Sequence, residues 1–146
     1  MAVPDPLDPR AALAEAVECV GDRWTLLVVD ALLAGPRRFN DLAEDVAGIA
    51  PNILSARLRR LASEGILRAR PYSRRPLRVA YELTGSGREL AGALRLLAHW
   101  GAGRSEDVEP PRHNECGTPM EARWYCPTCA RFVDESHDPG AELRYV

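Results

Sequence analysis

The sequence predicts an α+β fold that is mainly α-helical, followed by a small cysteine-rich module. Apolar residues recur at helical spacing over much of residues 9–102. Two stretches, residues 66–70 and 78–83, have the composition of paired strands instead. The last third of the chain changes composition and holds three of the four cysteines. Four helices, a hairpin and a further helix form the order of a winged helix-turn-helix domain with a two-stranded wing.

Start and stop residues mark the first two helices. After a lead over residues 1–8 that is predicted to be disordered, an Asp-Pro pair at residues 8–9 provides an N-cap and a first-turn proline. Gly21 ends this first helix, and Asp22 is predicted to cap a second, mostly buried helix over residues 23–33. The first helix carries one apolar face: Leu13, Val17 and Val20.

The third and fourth helices are predicted to form the helix-turn-helix pair. A short helix over residues 39–46 is joined through a segment that contains Gly48 to a helix that begins at Pro51 and runs to Glu64. The core stripe of the fourth helix recurs at helical spacing: Leu54, Leu58 and Leu61. Small and polar residues occupy the opposite side: Asn52, Ser55, Ala56, Arg59, Arg60 and Ser63.

A hairpin and a fifth helix complete the domain over residues 9–102. The two strands enclose a turn-rich tip, residues 71–76, which carries adjacent arginines. Thr84 is predicted to cap a helix that runs to about Gly101. Its apolar residues are Leu90, Ala93 or Leu94, Leu97 and Trp100. A linker over residues 103–112, the cysteine module over residues 113–135 and a tail over residues 136–146 follow.

The arginine distribution indicates a surface for nucleic acid. Nine arginines lie between Arg57 and Arg88, against two acids, Glu64 and Glu82, in a chain whose net charge is −2. A basic island on a helix and an adjoining hairpin is the electrostatic footprint of a protein that contacts phosphates. A solvated helix face beside a polar turn is the alternative that charge alone allows.

Several sequence blocks occur in a characteristic order. They are GDRWTLL at residues 21–27, GPRRFNDL at 35–42, GIAPNILS at 48–55, RLRRL at 57–61, YELTGSGR at 81–88 and HWG at 99–101. Through these blocks, about residues 10–102 resemble the HxlR-type transcriptional regulators, a winged-helix group allied to the MarR-type proteins. The resemblance implies a sequence-specific DNA-binding repressor or activator whose fourth helix reads double-stranded DNA. Repression is the expected mode of action.

The resemblance also implies a homodimer that is built from the first and last helices of the domain. The apolar stripes from Leu13 to Val20 and from Leu90 to Trp100 suit such a dimer, and a purely core role is the alternative. A small-molecule effector is compatible with this class of regulator.

Ten residues are predicted to face the DNA. Amide groups at the start of the fourth helix suit a phosphate, while Asn52 would favour adenine and Arg59 guanine. Arginines before the third helix and on the hairpin suit phosphates or the minor groove. The full set is Arg37, Arg38, Asn52, Ser55, Ala56, Arg59, Arg60, Arg74, Arg75 and Arg78.

Two positions depart from the family pattern. Members that sense oxidants or electrophiles carry a cysteine early in the first helix, where this chain has Ala11, so thiol sensing by that route is not expected. Cys19 is interpreted as a small buried hydrophobe. The serine that usually precedes the recognition-helix proline is Ala50 here, which removes an N-cap hydroxyl and a phosphate contact.

Two half-sites in the C-terminal module predict a structural zinc ion. His113 and Cys116 are three positions apart, as are Cys126 and Cys129, and nine residues separate the two pairs. Cys₃His is a set of ligands that zinc binds tetrahedrally, and a site with four protein ligands has no open position for catalysis. The intervening residues 118–125 are predicted to form a hairpin that covers the metal with Trp124 and Tyr125, so the module resembles a small zinc ribbon.

Other interpretations of the module remain. Cys126 and Cys129 could form a redox-active pair, the cluster could be fortuitous, and His137 is a weaker candidate for the fourth ligand. About thirty residues could hardly fold without a cross-link of some kind, which favours the metal.

Composition and motifs speak against other classes of protein. No apolar run approaches the length of a membrane span, and the N-terminus lacks a secretory pattern, so a cytoplasmic protein is expected. No glycine-rich phosphate loop or paired carboxylates indicate an enzyme. The alternative function is a protein-interaction adaptor in which the winged helix and the zinc ribbon bind another protein without specific DNA binding.

Overall fold

The computed structural model describes residues 10–133, so the predicted lead, the tail and His137 lie outside the described residues. The helices are α1 (Ala11–Val20), α2 (Arg23–Leu33), α3 (Phe39–Asp45), α4 (Pro51–Ser63), α5 (Gly85–Glu89) and α6 (Ala91–Ala102). The strands are β1 (Arg37–Arg38), β2 (Leu67–Arg74), β3 (Leu77–Leu83), β4 (Trp124–Cys126) and β5 (Arg131–Val133). The described residues divide into two compact units, residues 17–97 and residues 10–16 with 98–133. Within the described range, no helix has the length and apolar character needed to cross a bilayer.

Helix α2 has the predicted bounds because its N-cap forms as expected. The carboxylate of Asp22 accepts hydrogen bonds from the backbone N–H groups of Trp24 and Thr25, each at 3.1 Å. The sequence predicts that this helix is mostly buried, but 43% of the surface of Leu27 is exposed. Its helix face therefore carries less of the core than the sequence pattern suggested. The buried residues of α2 are Thr25, Val28, Val29 and Leu32.

Helices α3 and α4 form the predicted helix-turn-helix pair, joined by residues 46–50. The predicted stripe of α4, Leu54, Leu58 and Leu61, is buried and lies within the main core. Cys19, interpreted from the sequence as buried, is half-buried against the same core. This cluster comprises Val20, Val28, Val29, Leu32, Leu42, Val46, Ile49, Leu54, Leu58, Leu61, Ile66, Leu67 and Leu83.

The wing is a longer hairpin than predicted. The antiparallel sheet has the order β1-β3-β2, and the register runs from Leu67 opposite Leu83 to Arg74 opposite Leu77. Residues 71–74, predicted as part of the turn, belong to β2, with a register shift between Pro71 and Ser73. Because β2 is an edge strand, a proline is tolerated there without loss of a central ladder bond.

The predicted fifth helix is divided into α5 and α6, with Leu90 between them. The glycines at residues 85, 87 and 92 lower helix propensity across this segment. Thr84 caps α5 as predicted, since its hydroxyl accepts a hydrogen bond from the N–H of Gly87 at 3.2 Å. A Cβ atom at Gly87 would lie 2.2 Å from the carbonyl oxygen of Ile66, so only glycine allows this packing.

The apolar stripe of the last helix is narrower than predicted. Leu90 and Leu94 pack against the main core, whereas Leu97 and Trp100 are 51% and 65% exposed. Of these four residues, only Leu97 and Trp100 are therefore available to contact a partner subunit. Similarly, Leu13 and Val17 of α1 are exposed while Val20 is buried.

The cysteine module contains a different hairpin from the predicted one. The antiparallel pair β4–β5 spans residues 124–133, so the turn that joins the strands contains Cys129. Residues 118–125 do not form a hairpin of their own; instead, a bridge between Arg112 and Pro119 closes a loop around the first half-site. The turns of the module therefore lie at the two half-sites, and the segment between the half-sites is not a hairpin.

Candidate nucleic-acid interface

The start of α4 presents a small set of groups to solvent. Ala50 occupies the N-cap without a side-chain hydrogen bond, as its replacement of serine predicts. Asn52 is exposed, whereas Ser55 and Ala56, predicted to be exposed, are half-buried. Ser55 lies only about 60° from Leu58 around the helix, which places it beside the core stripe. The face available to a partner is correspondingly narrow.

The three arginines of α4 have different surroundings. Arg57 donates from Nε to Asp22 Oδ1 at 3.0 Å, and Arg60 donates to the backbone oxygen of Glu18 in α1. Arg59 is exposed and has no ion-pair partner among residues 10–133. Both Arg59 and Arg60 are predicted to contact DNA. Arg59 thus makes no ion pair among the described residues, whereas Arg60 is hydrogen-bonded to the protein backbone.

The link between Arg57 and Asp22 is a positioning contact that the sequence analysis missed. Burial alone would raise the pKa of Asp22, but hydrogen bonds from Thr25 and Arg57, together with the charge of Arg57, lower it overall. The same carboxylate therefore caps α2 and fixes α4 against it. The position of Arg57 beside Leu58, at the edge of the core stripe, is the sequence signal that could have suggested this role.

Two arginines at the base of the wing share one carboxylate. Arg68 donates from Nε to Glu82 Oε1 at 2.7 Å, and Arg70 Nη1 lies 3.8 Å from Glu82 Oε2. The hydrogen bond from Arg68 lowers the pKa of Glu82, whose side chain is only 8% exposed. Arg68 lies directly opposite Glu82 in the sheet register. This part of the basic island stabilises the hairpin.

The wing tip carries arginines without such partners. Arg74, Arg75 and Arg78 are exposed, and none of them makes an ion pair within the part of the chain that the structure describes. The register places Arg74 opposite Leu77 and Arg78 opposite Ser73, so the three lie within the last rungs of the hairpin and its turn. Three positive charges are therefore concentrated at one end of the wing.

The predicted arginines before α3 also differ from one another. Arg37 Nε donates to Asp45 Oδ2 at 3.0 Å, so its charge is already paired. The Arg38 guanidinium lies 4.8 Å from the ring centroid of Tyr72, and both residues are exposed. Tyr72 was missed because the sequence placed it in a turn, whereas it lies at the register shift of β2. This stacking orients Arg38 toward the wing.

The cysteine module contains two local pairs of metal-binding residues. His113 Nδ1 lies 3.4 Å from Cys116 Sγ, and the hydroxyl of Thr118 lowers the pKa of Cys116. Backbone hydrogen bonding at Cys129 lowers the pKa of Cys126. Among residues 10–133, no group of three or more histidine, cysteine or acidic side chains lies together as a metal site. The predicted four ligands are thus placed as two separate pairs.

Known proteins share this architecture. The family model for HxlR-like helix-turn-helix proteins matches residues 19–109. A helix-turn-helix-type transcriptional regulator of Mycobacterium bovis is 38% identical over 142 residues, which cover 91% of this chain and 89% of that protein. The regulator YvaP of Bacillus subtilis is 33% identical over 86 residues, or 59% and 80% of the two chains. A solved transcription factor from Pseudomonas aeruginosa is 32% identical, with a TM-score of 0.63 over 83% of this chain and 84% of its own.

The mycobacterial alignment extends beyond the family match. It leaves about a tenth of this chain unaligned, whereas the segment after residue 109 makes up about a quarter. The aligned part must therefore enter the cysteine module. The alignment with YvaP covers a much smaller share of the chain.

Proposed function

The chain belongs to the HxlR-like helix-turn-helix family, and from this premise we propose that it represses transcription as a homodimer bound to an inverted-repeat operator. It is a DNA-binding transcriptional regulator and not an enzyme.

The observation that carries the proposed DNA contact is the distribution of unpaired arginines. Arg59 on α4 and Arg74, Arg75 and Arg78 on the wing are exposed without ion-pair partners among the described residues. Four other arginines of the basic island contact oxygens within the protein. In the proposal, Asn52 and Arg59 contact base edges in the major groove, and the wing arginines contact phosphates.

Exposed apolar side chains on two helices support the dimer. Leu13 and Val17 of α1 are 67% and 55% exposed, and Leu97 and Trp100 of α6 are exposed to a similar extent. Burying one such side chain fully contributes about 1.5–3 kcal/mol, so a symmetric interface that covers them gains substantial stability. A twofold dimer presents two recognition helices to half-sites that are about one helical turn apart, or a multiple of it.

Repression is the simpler mode of action for such a dimer, because occupancy of a promoter is sufficient to block transcription. In this proposal, a small-molecule effector acts by changing the spacing of the two recognition helices, since that spacing determines which operator fits.

The dimer is tested with one substitution in the apolar stripe and one matched control. In multi-angle light scattering, the parent is expected to be a dimer and Trp100→Glu a monomer. Leu77→Glu alters a leucine of the wing that is 71% exposed, and this control should remain dimeric. A monomeric parent, or a Trp100→Glu variant that remains dimeric, would contradict the proposed interface.

The operator is tested by selecting bound sequences from a random duplex library. An inverted repeat should emerge, and the monomeric variant should lose affinity for the full repeat while retaining weak binding to a half-site. A reporter gene behind the selected operator should be silenced when the protein is expressed. Enrichment of no sequence at all would favour the adaptor alternative, and reporter activation would reverse the sign of regulation.

A further inference from the structure

The cysteine module has secondary structure without an apolar core. None of residues 103–133 is buried, and its three largest aromatic side chains, Trp124, Tyr125 and Phe132, are each more than half exposed. Its sheet consists of two three-residue strands. An isolated hairpin of this size is at best marginally stable in water. Some cross-link must therefore supply the stability that burial does not.

The two half-sites share one backbone design despite different sequences. In each, two potential ligands are three positions apart, and the residue after the second ligand has a positive φ angle: 70° at Gly117 and 52° at Ala130. Ala130 is the one non-glycine residue with positive φ in the described range. A side chain rarely adopts this conformation unless its surroundings require it. This shared backbone geometry indicates that the two turns have the same function.

Internal hydrogen bonds hold each turn in this shape. The N–H of Gly117 donates to the carbonyl of His113 at 2.8 Å, and the N–H of His113 donates to the carbonyl of Thr118 at 2.9 Å. In the second turn, backbone groups of Thr128 and Cys129 hydrogen-bond to the sulfur of Cys126. The backbone of each turn is thus held by hydrogen bonds within that turn.

The separation within the first pair matches the edge of a zinc tetrahedron. With Zn–S near 2.3 Å and Zn–N near 2.0 Å, a sulfur and a nitrogen that bind the same ion are about 3.5 Å apart. The distance from His113 Nδ1 to Cys116 Sγ is 3.4 Å. This pair can therefore bind zinc with little rearrangement.

We propose that His113, Cys116, Cys126 and Cys129 bind one structural Zn²⁺ ion that joins the two turns. Binding requires the two pairs to converge, and residues 120–123 between them contain no helix or strand that would have to be broken. The three cysteine thiols release their protons as they bind the metal. With four protein ligands the ion has no open coordination position, so it supplies folding stability rather than catalysis.

The first experiment is metal analysis of the full-length protein without an affinity tag. The parent should contain about one zinc ion per chain, and Cys126→Ser/Cys129→Ser should contain almost none. Cys19→Ala is the matched control, since Cys19 packs against the main core instead of the module, and it should retain the metal. His113→Cys should also retain zinc, because four thiolates form an equally suitable site.

The second experiment separates loss of the site from loss of the fold. Replacing zinc with Co²⁺ should produce the intense visible bands of a tetrahedral thiolate complex in the parent and in Cys19→Ala, but not in the double serine variant. Circular dichroism should show that all variants keep their helices. A folded parent that binds neither metal, zinc that persists in the double variant, or a Cys126–Cys129 disulfide in the freshly isolated protein would overturn the proposal.

Discussion

Removing the three unpaired arginines of the wing tip should weaken DNA binding for every sequence alike. The variant is Arg74→Ala/Arg75→Ala/Arg78→Ala. Phosphate contacts carry no sequence information, so the loss should be equal for a selected operator and for unrelated duplex DNA. Because these side chains are exposed and make no ion pair among the described residues, the substitutions should leave stability almost unchanged.

The expected magnitude follows from the number of phosphate contacts. Each contact releases about 0.9 counterion equivalents, so three contacts contribute about 2.7 units per subunit to the slope of log affinity against log salt. When the salt concentration rises from about 50 to 200 mM, the affinity of the parent should therefore fall roughly 40-fold more than the affinity of the triple variant, counted for one subunit. A dimer with both wings on DNA would show about twice the slope change.

The measurement is fluorescence anisotropy of a labelled duplex, titrated at several salt concentrations. Arg70→Ala is the matched control, because it also removes one exposed arginine from the wing. Arg70 lies at the base of the wing, where its Nη1 is 3.8 Å from Glu82 Oε2, and it takes no part in the proposed phosphate contacts. The control should change the slope by well under one unit. An unchanged slope in the triple variant, or an equal change per charge in the control, would refute the proposed phosphate contacts.

Three further substitutions test the recognition helix and the fold. Arg59→Ala should cost about 1–3 kcal/mol at one base position of the operator, and uniform weakening across all operators would show that it binds phosphate instead. Asp22→Ala should lose about 1 kcal/mol of stability with the α2 cap. Hydrogen bonds lower the folded-state pKa of Asp22 below its usual 3.8. In thermal scans, the stability difference between the parent and Asp22→Ala should therefore be present near neutral pH and should decline as acid protonates the carboxylate. A difference that does not depend on pH would argue against the hydrogen bonds to Asp22. Gly87→Ala should destabilise the protein by about 1–3 kcal/mol, because its Cβ clashes with Ile66. Gly92→Ala is the control, since its Cβ meets nothing within 4 Å, and it should not destabilise the protein. Equal melting temperatures of the two variants would exclude the clash.

Helix bounds could be predicted where local signals determine them. Asp22 begins α2, and Pro51 begins α4, because capping and proline geometry depend on neighbouring residues alone. The wing tip could not be predicted in this way. Pro71 indicates a turn when its neighbours are considered alone, but as a residue of an edge strand it is compatible with β2. Strand order is a property of the whole sheet, so the local sequence does not contain it.

The candidate site was predictable as a region but not as a set of available side chains. The excess of arginine identified α4 and the wing, and the structure places Arg59 and the tip arginines there without partners among its described residues. The pairing of Arg68 with Glu82 depends on strand register. The contact between Arg57 and Asp22 depends on how two helices pack, which helical periodicity alone does not specify.

Some arginines of the basic island contact the protein itself, so the salt dependence of DNA binding should be smaller than their number suggests. If all nine arginines contacted phosphate, the salt slope would reach about 8 units per subunit. Four of the nine contact oxygens within the protein instead: Arg57, Arg60, Arg68 and Arg70. The five that remain predict a slope of at most about 4.5 units per subunit from this island. Moderate salt dependence is therefore the signature of this surface, since its other arginines hold the recognition helix and the wing in place.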